Sequence, residues 1–142
     1  MERLLLFDID GTILYPGTLA RKLLNRSIQE FTGKSPNLQI EDVAGYTDPV
    51  IIRNALRKMN YRSRGIQNTL TRIKESYLTS LKEEYPKYDT PYLFPDAVKL
   101  LEVCFNSGLN LGLLSGNFRL GAHIKLERFA ILDKFSFGIF GE

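Results

Sequence analysis

Residues 3–10, RLLLFDID, constrain the fold of this chain more than any other segment, because a short apolar run stops abruptly in two acids. A run of this length without alternation fits a strand buried on both faces, as in a parallel sheet. Gly11 and Thr12 then turn the chain. A second run, LNLGLL at 109–114, ends in Ser115, Gly116 and Asn117, and FSFGIFGE at 135–142 reads as a third strand. Helical spacing separates these runs. Val98, Leu100, Leu101 and Cys104 precede the second run, behind a capping Asp96, and Ile124, Leu126 and Phe129 follow it. Strands that alternate with helices predict an α/β fold with a Rossmann-like parallel sheet.

The stretch between the first strand and this pattern is helical. Leu19, Leu23, Leu24, Ile28 and Phe31 share a helical face that stops at Gly33. Residues 34–47 read as loop. Asp48-Pro49 reads as an N-cap with proline in the first turn, followed by Val50, Ile51, Ala55, Leu56 and Met59. A further helix carries Ile66, Leu70, Ile73, Tyr77 and Leu81, and Pro86, Pro91 and Pro95 stiffen the return. The expected division is an α/β core of residues 1–15 and 91–142 with an inserted helical unit at 16–90. A length of 142 residues suits one core with a small appendage.

Composition narrows the chemistry. One cysteine, Cys104, excludes an internal disulfide framework, and one histidine, His123, excludes metal sites built on several imidazoles. Cys104 reads as core filler and His123 as an exposed helix residue. Residues 49–74 hold seven Lys and Arg and no acid. Without interleaved aromatics they read as a solvated face, and no nucleic-acid partner is expected. No apolar run approaches the roughly 20 residues of a membrane span, and Asp8 cuts short any secretory signal. The expected location is cytoplasmic, with no membrane partner.

In an open parallel sheet, ligands bind beyond the carboxyl ends of the strands. One strand delivers Asp8, Asp10, Gly11 and Thr12, and another delivers Ser115, Gly116 and Asn117. Two close carboxylates repel, and a magnesium ion would resolve the conflict with hard oxygen ligands. Backbone N–H groups around Gly11, and those at the start of the helix after Asn117, could hold an anion. Lys125 supplies positive charge, and Asn117 serves either to touch a ligand or to cap the helix.

These residues resemble a known family. F-D-I-D-G-T at 7–12 looks like the first motif of the haloacid dehalogenase-like (HAD) hydrolases, mostly magnesium-dependent phosphatases. Leu113-Leu114-Ser115-Gly116-Asn117 is similar to the second motif, and A-H-I-K-L-E-R at 122–128 to the third. Residues 16–90 stand where that family carries a small helical cap. Gly45-Tyr46-Thr47-Asp48-Pro49 is similar to a cap loop of phosphoglycolate-phosphatase-like members, and Leu93-Phe94-Pro95-Asp96 to the return into the core.

The resemblance implies a magnesium-dependent phosphatase acting on a small phosphorylated metabolite through an aspartyl-phosphate. Asp8 would be the nucleophile and Asp10 the general acid and base. Asp8 and the backbone carbonyl of Asp10 would bind Mg2+, and Gly11, Thr12, Ser115, Gly116, Asn117 and Lys125 would face the phosphate. A phosphomutase, or a silent fragment that binds phosphate or a partner chain, is the alternative. The family's fourth acidic motif is not found in Pro95 to Glu142. Two strand–helix units, roughly 60 residues, are therefore expected to be missing from the core. Truncation is the expected cause. The strand bearing Asp8 would then be an unpaired apolar edge, prone to self-association.

Overall fold

The computed structural model describes residues 3–142. In chain order the elements are β1 (Leu4–Phe7), β2 (Leu14–Tyr15), α1 (Leu19–Thr32), α2 (Ile40–Val43), α3 (Asp48–Lys58) and α4 (Ile66–Glu84). Then come β3 (Tyr92–Leu93), α5 (Pro95–Asn106), β4 (Asn110–Leu114), α6 (Arg119–Glu127) and β5 (Phe137–Ile139).

The main sheet has the order β1-β4-β5 and is parallel throughout. Leu4 to Phe7 pair with Asn110 to Leu113, and Gly112 to Leu114 pair with Phe137 to Ile139. The α/β reading and its Rossmann-like parallel sheet are thus present. A two-stranded antiparallel ribbon, β2 with β3, joins the two crossings between sheet and helices. Strands of two residues leave no periodicity to read, so the ribbon had no signal in the sequence.

Two apolar clusters hold the chain. One joins Leu23, Leu24 and Ile28 of α1, Ile51 and Leu56 of α3, and Ile73, Tyr77 and Leu81 of α4. The other joins Phe7, Ile9, Leu111 and Leu113 to Leu101 and Cys104 of α5 and to Ala122 and Leu126 of α6. Helix α6 serves both, since its Ile124, together with the preceding Phe118, packs into the helical cluster. Each fully buried Leu or Ile contributes about 1.5–3 kcal/mol, so α6 cannot leave either cluster cheaply.

Three local expectations change. Residues 34–47 are not all loop: the Gln39 N–H donates to Asp42 Oδ2 at 2.8 Å and starts the single turn of α2. Thr47, not Asp48, holds the N-cap position of α3, and Phe94, not Asp96, that of α5; both acids sit within the first turn. His123 is half-buried, its ring 5.7 Å from that of Phe140. Cys104 is buried, as expected of core filler.

One face of the sheet is bare. Leu4, Leu6, Leu114, Phe137 and Ile139 share it by strand alternation, and each is 40–56% exposed. Strand β1 pairs only with β4 among the described residues, so its other edge is open. No described helix is long and apolar enough to cross a membrane.

Candidate active site

Parallel pairing sets Phe7 beside Leu113. Asp8 then lies one residue beyond β1, and Ser115 one residue beyond β4, so the two polar ends leave the sheet together. A cavity of about 800 Å3 opens there. Asp8, Asp10, Ser115, Gly116, Asn117 and Lys125 line its sheet side. Arg21, Thr47, Asp48 and Tyr77 line it from the helices.

The polar groups form a connected network. Lys125 Nζ, 3% exposed, donates to Asp10 Oδ2 and to Asn117 Oδ1, both at 2.7 Å. Asn117 Nδ2 donates to Asp10 Oδ2 at 2.9 Å and to Ser115 Oγ at 2.8 Å. Lys125 reaches this point because side chains lean toward the start of their helix, and it sits in the last turn of α6. Asp10 Oδ1 is buried without a hydrogen-bond partner. Asp8 is exposed to the cavity. Its partial burial, with the charge of Asp10 beside it, raises its carboxyl above the usual range, against the Ile9 N–H and Lys125. Asn117 neither caps α6 nor faces solvent; it ties the two strand ends to Lys125.

Two expected anion donors are already taken. The Gly11 N–H donates to the Leu14 carbonyl at 2.9 Å and the Thr12 N–H to the Ile9 carbonyl at 3.2 Å. Both residues are exposed and neither lines the cavity, so the turn that positive φ permits at Gly11 closes on itself. At the start of α6, the Phe118 N–H donates to Asp48 Oδ2 and the Arg119 N–H to Glu142 Oε1, each at 2.8 Å. Carboxylates of the chain itself occupy the positive end of that helix.

Asp48 is the residue the sequence reading missed as part of this site. Its own N–H donates to the Gly116 carbonyl at 2.8 Å while its carboxylate caps Phe118. It therefore staples the 45–48 loop to the 115–118 turn. Gly116 is needed for this fit, because a Cβ there would stand 2.9 Å from the Tyr46 carbonyl oxygen. Burial pushes the Asp48 carboxyl up to about 6, opposed by the nearby Lys125 charge. Tyr77 lies beneath the cavity, and burial raises its phenol well above the usual range. The Asp-Pro pair pointed Asp48 to the wrong helix, and the 45–49 stretch marked it only as part of a loop.

Over residues 5–142 the amino-acid sequence matches the haloacid dehalogenase-like hydrolases. The chain belongs to this family. No curated protein matches it. Several solved structures share its fold. A predicted phosphoglycolate phosphatase from Haemophilus somnus is 16% identical with a TM-score of 0.72, and the match covers 99% of this chain and 63% of that one. CbbY from Rhodobacter sphaeroides, solved in complex with phosphate, is 16% identical with a TM-score of 0.68, covering 99% and 64%. A HAD hydrolase of family IA, variant 3, from Entamoeba histolytica is 18% identical with a TM-score of 0.59, covering 96% and 61%. The chain thus spans less than two thirds of each of these HAD-fold neighbours, in line with the expectation of an incomplete core.

Proposed function

We propose that this HAD-family chain carries the phosphoryl-transfer site of a magnesium-dependent phosphatase for small phosphorylated metabolites, with residues 16–90 as a cap over a core of residues 1–15 and 91–142. The observation that supports it is the Lys125–Asp10–Asn117–Ser115 network beside Asp8 in one cavity. Among the described residues no side chain hydrogen-bonds to Asp8. Its carboxylate is free to attack phosphorus and form an aspartyl-phosphate.

In that reaction the Asp8–phosphorus bond forms as the bond to the ester oxygen breaks, and Asp10, as the acid, gives that oxygen its proton. Water then attacks phosphorus, Asp10 takes the water's proton, and inorganic phosphate leaves Asp8 as a carboxylate. Ser115, Asn117 and Lys125 hold the phosphoryl oxygens, Lys125 by its charge.

The residues fit a magnesium ion. Such an ion takes one or two carboxylates, keeps several waters and binds substrate phosphate. The Asp8 carboxylate, exposed to the cavity, and the backbone carbonyl of Asp10 would hold it, which leaves the unpartnered Oδ1 of Asp10 to carry the proton. Among the described residues no cluster of three or more His, Cys, Asp or Glu forms a fuller cage. When bound, magnesium offsets the negative charge of carboxylate and phosphate.

Phosphate release from small esters, measured with and without magnesium, tests the proposal. Wild-type chain releases phosphate and Asp8→Asn does not. Turnover that survives Asp8→Asn removes Asp8 as nucleophile.

A further inference from the structure

We infer that Arg21 binds a second anionic group on the substrate, so that the ester this site prefers carries a negative charge beyond its phosphate. The inference rests on the phosphatase reading above and extends it to the leaving group.

Arg21 sits in the first turn of α1, on the helical side of the cavity that holds Asp8, Ser115 and Lys125. It is half-buried. Its Nη1 donates to the Leu38 carbonyl at 3.2 Å, and among the described residues it forms no ion pair. The other cation lining the cavity, Lys125, bonds Asp10 and Asn117 and has its remaining N–H for the phosphoryl group. A guanidinium offers five N–H donors in a rigid fork. One bond to Leu38 sets the direction of that fork and leaves the rest of it unclaimed.

The surroundings favour an anion. Ala20, Ile40 and Val43 also line this cavity from the helical side. Apolar walls lower the local dielectric, which strengthens attraction for a negative group and penalises an unpaired cation. Binding a carboxylate or a second phosphate relieves that penalty and uses the fork in two parallel hydrogen bonds. A neutral leaving group does neither. The chemistry shared by both ligands is a planar or tetrahedral anion, and the two are separated by the assay.

The test compares phosphoglycolate with 2-hydroxyethyl phosphate, a neutral ester of equal length, and with ethylene glycol bisphosphate. Wild-type chain and the Arg21→Gln and Arg21→Lys variants are assayed with magnesium. The wild type is expected to favour at least one charged ester over the neutral one by about 10- to 100-fold in kcat/KM, the range of a charge-assisted hydrogen bond. The better of the two identifies the anion. Arg21→Gln should erase that preference by raising KM for the charged ester about 10-fold or more beyond any change for the neutral one, and Arg21→Lys should restore part of it. Equal loss for charged and neutral esters assigns Arg21 to the Leu38 contact alone and overturns the inference. Calorimetry with inorganic phosphate and the three esters separates the two levels. Phosphate bound, with all esters bound equally, overturns Arg21 but not the site; binding of none overturns both.

Discussion

Replacing Asp48 by Asn should stabilise the protein progressively as pH rises. The carboxyl is buried and its pKa is raised from 3.8 to about 6, first by desolvation. At about 1.4 kcal/mol per pH unit, ionised Asp48 costs the fold about 3 kcal/mol relative to its protonated form. The sign follows from proton counting. Between pH 4 and 6 the folded chain keeps a proton that the unfolded chain has released, so stability falls as pH rises through this window. Below it both states are protonated, and above it both are ionised with the full cost present. Asparagine keeps an oxygen that accepts the Phe118 N–H, presently bonded at 2.8 Å, but carries no charge. Other groups titrate alike in both proteins and cancel in the difference. Urea unfolding of wild type and Asp48→Asn at pH 4, 5, 6 and 7 should show the gap shift in favour of the variant by about 2–3 kcal/mol across the series. Asp48→Ala, which removes the acceptor as well, should fall below Asp48→Asn by about 1–2 kcal/mol at every pH, the cost of a lost helix cap. A gap between wild type and Asp48→Asn that stays flat from pH 4 to 7 refutes the reasoning.

Further outcomes are expected elsewhere. Lys125→Met removes the cation that contacts Asp10 and Asn117 at 2.7 Å, and should lower phosphatase turnover by about 100-fold or more, read from initial rates. Gly116→Ala meets the Tyr46 carbonyl at 2.9 Å, a backbone atom that cannot swing aside, and should cost about 1–3 kcal/mol in urea unfolding. Leu6→Lys with Ile139→Lys should reduce self-association in sedimentation velocity, because both side chains stand on the bare sheet face. Chelation by EDTA should abolish phosphate release, and added magnesium should restore it.

Much of the architecture was legible in the sequence because it follows from periodicity. The Leu19–Phe31 stripe with its Gly33 stop became α1, and the continuous apolar runs became β1 and β4. The elements that escaped are too short to have a period: one turn of α2 and the two-residue strands β2 and β3. The meeting of Asp8 and Asp10 with Ser115 was readable only on the assumption that their strands are neighbours. What could not be read were bonds between a side chain and a distant backbone. Asp48 stands beside Pro49 and looks like the cap of its own helix, yet its carboxylate caps Phe118, 70 residues away. Gly11 and Thr12 looked like free donors because the hydrogen bonds that engage them, to Leu14 and Ile9, belong to the folded turn.

The pairing of Leu4 with Asn110 has a consequence for how this molecule comes into being. The first strand leaves the ribosome long before the strand it must pair with has been translated. Contacts so distant along the chain form slowly, because closing a long loop costs entropy before any contact rewards it. Meanwhile α1 and α4, which pack on each other without the sheet, can consolidate. The pocket is therefore among the last things built, and a nascent chain presents Leu4, Leu5 and Leu6 to its surroundings throughout the wait, a period in which a chaperone has an obvious foothold.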